Sequence, residues 1–238
     1  MPIIEPDTTL ADLVISHPEL APRFDALGLD FCCGGRQRLS DAVVAAGLDL
    51  DVVTAELQAT SSKADTATEA DWEGMGGLVD HLEATHHAYL REVLPGLTAL
   101  ADKVCGVHGE NHPELAQIRV LVHEIRADLE PHLLKEERVL FPMIRELAAA
   151  SVAPTFHCGS LANPIRVMLG EHDRVGEILA ALRVATDQYQ VPDGGCASYH
   201  ALFSGLAELE ADTHLHVHKE NNVLFPLVVD TERALTRL

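Results

Sequence analysis

The chain has 238 residues and carries 37 acidic against 17 basic side chains, a formal net charge of -20. A surplus of that size repels a nucleic-acid backbone and an anionic lipid surface, so neither is expected as a partner. No run approaches 18 uninterrupted apolar residues, MPIIEPDTTLADLV has the form of no export signal, and five cysteines are an odd number, so a cytoplasmic protein with reduced thiols and no membrane span is expected.

Residues 1–57 read as a small helical domain containing cysteines, with short helices near 8–15, 18–27, 39–46 and 49–57 and stops at Gly28, Gly34, Gly35 and Gly47. A unit of that size is marginal alone, and packing on the rest of the chain or homodimerisation would support it. Between its second and third helices lies FCCGG. Cys32 and Cys33 are adjacent, and adjacent cysteines bond to one another only with a strained backbone. They read either as two half-buried thiols at a turn or as a pair that exchanges with a partner or takes iron transiently, since iron-sulfur chemistry uses soft thiolates. Cys105, Cys158 and Cys196 have no motif around them. Residues 58–73, around QATSSKADTATEAD, are small and polar without an apolar period and read as a linker.

From residue 74 to 238 the pattern is helical throughout, with long segments at about 74–105, 112–149, 161–189 and 197–232 separated by Gly, Pro and Asn clusters. The fold class expected is all-α, an up-down four-helix bundle with the small N-terminal helical domain attached. An internal repeat supports paired helical hairpins: KEERVLFP at 135–142 returns as KENNVLFP at 219–226, and His132 returns as His216 at the same offset of 84.

Fourteen histidines are many for such a chain, and several fall on apolar stripes. The second long helix runs Ile118, Leu121, Ile125, Leu129, His132, Glu136, Val139, Met143. The third runs Ile165, Met168, His172, Val175, Leu179, Leu182, and the fourth Leu202, Leu206, Leu209, Thr213, His216, Glu220, Val223, Leu227. Steps of three and four put all of these on one buried face of each helix. A single histidine there is more often a hydrogen-bonded core residue than a ligand. A buried carboxylate is different: it costs several kcal/mol unless paired or bound to metal, and two in one core repel each other. His and Glu at i and i+4 share a helix face, so two such pairs with one histidine from each remaining helix supply four imidazoles and two carboxylates, enough for two metals bridged by the carboxylates. In the first helix the period admits His86, whereas spacing favours His87: His87 precedes His132 by 45 residues and His172 precedes His216 by 44. The donor set suits iron or manganese better than structural zinc. Asp128 and Glu171 read as exposed acids, as acceptors behind the ligand histidines, or as steps on a cation path. Pro131, directly before His132, lies where a proline kinks or breaks a helix.

The paired H-x-x-x-E motifs, each followed by V-L-F-P, EHD at 171–173 and H-x-x-x-R-E-x-L-P at 87–95 resemble the HHE cation-binding, hemerythrin-like domain. FCCGG at 31–35 resembles the ScdA-type domain that precedes it in the repair-of-iron-centres (RIC) family. The resemblance covers nearly the whole chain. It implies a di-iron centre with two oxo- or hydroxo-bridged Fe ions on His87, His132, Glu136, His172, His216 and Glu220, with both glutamates bridging. It also implies repair of iron-sulfur proteins whose clusters were damaged by oxidative or nitrosative stress, with the chain as iron donor. Two further readings stay open: an enzyme reducing NO or a peroxide at the centre, and a module that senses or stores O2, NO or iron. O2 carriers of the hemerythrin type use one more histidine than can be placed here.

Overall fold

A computed structural model describes residues 4–61 and 72–237. The chain divides into two compact units, one of Met1–Trp72 with His214–Pro226 and one of Glu73–Thr213 with Leu227–Leu238.

In the first unit, α1 (Leu10–Ser16) starts at Thr9, whose hydroxyl accepts the Asp12 amide in an N-cap. A single 3-10 turn at Pro18–Leu20 leads into α2 (Ala21–Leu27), which ends at Gly28 with φ +68°, the left-handed conformation glycine adopts without strain. Then come α3 (Leu39–Ala45) and α4 (Leu50–Ser61). Leu10, Leu20, Phe24, Phe31, Leu39 and Leu57 form the core, and Val217 of the fourth long helix belongs to it. The expected linker therefore begins later than residue 58, because 58–61 finish α4; residues 62–71 of it lie outside the described residues.

The second unit is helical along four lines. The first is α5 (Gly74–Leu82), a π turn at Glu83–His87, and α6 (Ala88–His108). The second is α7 (Glu114–Lys135), a π turn at Glu136–Leu140, and α8 (Phe141–Ala148). The third is α9 (Ala162–Ala185), and the fourth α10 (Ala197–His218), a π turn at Lys219–Leu224, and α11 (Phe225–Thr236), of which 214–226 belong to the first unit. Leu90, Leu94, Ile118, Ile125, Leu179, Leu182, Leu202 and Leu206 meet in one core, as an up-down bundle requires. Among the described residues no helix is long and apolar enough to cross a membrane.

The π turns correct the expected stripes. In each, an amide reaches back five residues rather than four: Phe141 N–H donates to the Glu136 carbonyl, and Phe225 N–H to that of Glu220. The proline following each phenylalanine explains the widening, since its ring collides with the carbonyl four residues back, at Arg138 and Asn222. One residue is thereby inserted into the helical period. Val139 and Leu227, expected in the core, are 43 % and 42 % exposed, while Leu140 and Val228 are buried in their place. Pro131 does not interrupt α7, which continues through it to Lys135.

Candidate metal centre

Within the bundle unit, Glu136 is fully buried on the first residue of a π turn, and its Oε2 lies 3.4 Å from His87 Nε2 and 3.3 Å from His132 Nε2. One carboxylate thus faces imidazoles from two different helices. His132 Nε2 also lies 3.1 Å from His172 Nε2, with α9 supplying the second ring. Ligand atoms of His132, Glu136 and His172 all fall within 4.8 Å of one another, and all three residues are buried. Nitrogens and a carboxylate oxygen gathered so tightly in an apolar core are the donor set of a divalent cation with mixed N and O ligands, which fits iron or manganese.

The outer nitrogens of two histidines are engaged as well. His132 Nδ1–H donates to Glu171 Oε2 at 2.9 Å, and Lys135 also pairs with Glu171. His87 Nδ1–H donates to Glu137 Oε1 at 2.7 Å, Arg91 pairs with the same carboxylate, and the His87 ring stacks on Phe141. Donation from Nδ1 leaves the Nε2 lone pair directed inward, the tautomer a metal requires. Burial works against the charged form of Glu171, but the Lys135 ammonium and the His132 imidazole outweigh it and hold its carboxyl below the usual range. Asp128 pairs with Arg174 on α9. His86 is buried beside His87, because the π turn Glu83–His87 brings both inward, and its Nδ1–H donates to Asp212 Oδ1 at 2.8 Å.

In the first unit, His216 and Glu220 are both fully buried on the fourth long helix, with His216 Nε2 3.2 Å from Glu220 Oε1. The FCCGG loop meets the same stretch. His218 Nδ1–H donates to the Phe31 carbonyl at 3.2 Å, and the Asn222 amide donates to the carbonyls of Cys32 and Phe31 at 3.0 and 3.3 Å. Asp30 shapes the loop: one carboxylate oxygen accepts the amides of Cys32 and Cys33 and the Cys32 thiol, and the other accepts the Gly34 amide. Gly35 is required by close approach, since a Cβ there would lie 2.5 Å from the Phe31 carbonyl and 3.0 Å from Asn222 Nδ2. The sulfurs of Cys32 and Cys33 stand 3.9 Å apart as free thiols, Cys32 buried and Cys33 partly exposed. The Cys33 sulfur beside it, and then burial, push the Cys32 thiol well up from its ordinary range.

Three contributors were not visible as such in the sequence: Glu137, Asp30 and Asn222. Asp30 had a usable signal, an aspartate two to four residues before backbone amides that its side chain can collect. Glu137 and Asn222 had none, because each sits beside a stripe rather than on it.

A helical bundle with histidines and glutamates buried on its helices defines the class, a metal-binding four-helix protein. The family follows from comparison: residues 78–228 match the hemerythrin HHE cation binding domain, and the chain belongs to that family. Residues 6–61 match a domain of unknown function, DUF542. The chain is 37 % identical to the iron-sulfur cluster repair protein YtfE of Cronobacter sakazakii, over 95 % of this chain and 98 % of that one. It is 36 % identical to proteins of the same name from an Enterobacter species and from Escherichia coli O1:K1, in each case over 92 % of this chain and 96 % of the relative. The resemblance drawn from FCCGG and the paired H-x-x-x-E motifs is borne out.

Proposed function

We propose that this chain repairs damaged iron-sulfur clusters in the cytoplasm by holding two iron ions and supplying them to the damaged protein. The observation carrying the reading is likeness along nearly the full length of both chains to proteins named for iron-sulfur cluster repair. In this reading His87, His132, Glu136, His172, His216 and Glu220 hold the two irons, and both glutamates are shared. What supports two metals rather than one is Glu136, whose single oxygen faces both His87 and His132. Iron here is cargo. The residues hold it away from bulk water, with imidazole nitrogens that suit iron and carboxylate oxygens that offset its charge.

The thiols suit the same task. Cys32 and Cys33 sit on a loop whose carbonyls are hydrogen-bonded by His218 and Asn222, on either side of Glu220, and soft sulfur competes well for iron. NO and O2 are the small ligands such a centre would meet under stress.

The test is metal analysis with Mössbauer spectroscopy of the purified full chain, followed by anaerobic incubation with an apo-cluster protein. Two irons per chain, delivered to the acceptor at a rate that falls when Cys32 and Cys33 are both changed to Ser, is the expected result. Zinc, or one metal per chain, would overturn the two-iron reading. Rapid turnover of NO with an electron donor and no delivery of iron would replace repair with an enzymatic function.

A further inference from the structure

The two repeats diverge at the two positions that follow their glutamates, and the first of these is the telling one. KEERVLFP places Glu137 after Glu136, and KENNVLFP places Asn221 after Glu220. The structure gives these equivalent positions different tasks. Glu137 Oε1 accepts the His87 Nδ1–H at 2.7 Å, whereas the Asn221 amide turns to the Cys32 carbonyl at 3.4 Å.

We infer that Glu137, clamped by Arg91, is a positioning residue for His87, and that it sets the affinity of one of the two metals and not the other. The inference rests on the two-metal reading above. Adjacent residues of a regular α-helix point about 100° apart and serve different faces. Here Glu136 and Glu137 open a π turn and address the two ends of one ring: Glu136 Oε2 stands 3.4 Å from Nε2, and Glu137 Oε1 2.7 Å from Nδ1. Phe141, at the end of the same turn, stacks on the ring at 5.4 Å between centroids and 23° between planes. A single turn of helix therefore defines the tautomer, the tilt and the rotation of His87. Arg91, one helical turn beyond His87, pairs with Glu137 and keeps the carboxylate, 18 % exposed, against the Nδ1 edge of the ring. A carboxylate behind a ligand imidazole makes the inward nitrogen a stronger donor, and losing one weakens metal binding about 10- to 100-fold.

The other metal has its own arrangement. His132 is held by Glu171 from α9, which Glu137 does not touch in any contact described, so the two carboxylates act on separate imidazoles. Asparagine at the equivalent of position 137 could accept a hydrogen bond but would carry no charge, and in the second repeat it has become a docking group for the thiol loop instead.

The experiment is an anaerobic Co(II) titration of the full-length apoprotein, followed by the visible d–d bands, comparing wild type with Glu137→Gln, Glu137→Asp, Arg91→Met and Glu146→Gln. Glu146 is an exposed acid on α8 and serves as control. The expected result is two Co(II) per chain for wild type and E146Q, and for E137Q one site as in wild type and a second weakened 10- to 100-fold with its bands shifted. R91M should show a smaller loss at the same site, and E137D a partial recovery. A merely structural role would lower the melting temperature of apo E137Q and weaken both sites together, which overturns the inference. Two unaltered sites in E137Q, with wild type binding two, also overturn it while leaving the two-metal reading intact. Fewer than two Co(II) in wild type overturns that reading and the inference with it.

Discussion

Asn222 donates its side-chain amide to the carbonyl of Cys32 at 3.0 Å, so the thiol loop hangs from a residue two positions beyond Glu220. The same amide reaches Phe31, and Gly35 lets the loop come this close. Replacing Asn222 by Ala removes both bonds and leaves two carbonyls to find water. A loss of about 1 kcal/mol is expected, which corresponds to roughly fivefold more frequent opening of the loop. Alkylation of Cys32 and Cys33 in the full chain, followed by mass spectrometry, should speed up by that factor. An unchanged rate would mean that the loop is held by its apolar core contacts instead.

The two thiols are expected to react in order. Cys32 is buried and its thiol is pushed up by the neighbouring Cys33 sulfur and by burial, so at neutral pH it stays protonated and slow. Cys33 is partly exposed. Limited iodoacetamide at pH 7.5 should label Cys33 first, by about tenfold. Equal labelling, or Cys32 first, would contradict the placement of the pair.

The shifted register after Glu136 is open to mutation. Val139 lies outside and Leu140 inside, the reverse of what an uninterrupted helical period gives. Val139→Lys should change stability by no more than about 0.5 kcal/mol, while Leu140→Ala should cost about 2 to 5 kcal/mol through the cavity it leaves. Urea unfolding midpoints of the two apoproteins measure the contrast, and a larger loss for Val139→Lys would restore the regular period.

Glu210 is buried on α10 and is held by Arg183 of α9, whose Nε donates to Oε1 at 3.0 Å. Removing the cation strands a buried carboxylate, so Arg183→Leu should destabilise the bundle by about 3 kcal/mol. Arg183→Leu with Glu210→Leu should recover most of that loss, as two apolar residues replace the pair. A double variant no better than the single one would show that Arg183 acts mainly through its other contacts, among them the face of Tyr189.

The ligand candidates were legible because a glutamate on an apolar stripe is physically conspicuous. Glu136 and Glu220 stand where leucine would be ordinary, and burial without a cation is too costly for evolution to repeat at an offset of 84. His172 was legible for the same reason of position. The uncertainty between His86 and His87 had a structural cause: a π turn buries both, so periodicity had no single answer to give there.

The amino-acid sequence by itself determined the all-α class, the four long helices and the residues that bury polar atoms, because helical periodicity and the cost of burying charge are local in origin. Tertiary structure alone decided where that period breaks and what stands behind each ligand. The π turns that follow Lys135 and His218 arise from a proline colliding with a carbonyl one turn back, and the first of them shifts Leu140 inward and Val139 outward. The Glu137 to His87 and Asn222 to Cys32 contacts join residues 50 and 190 positions apart. Such pairs leave no periodic trace, since each depends on which helix face and which loop carbonyl the folded chain brings within reach.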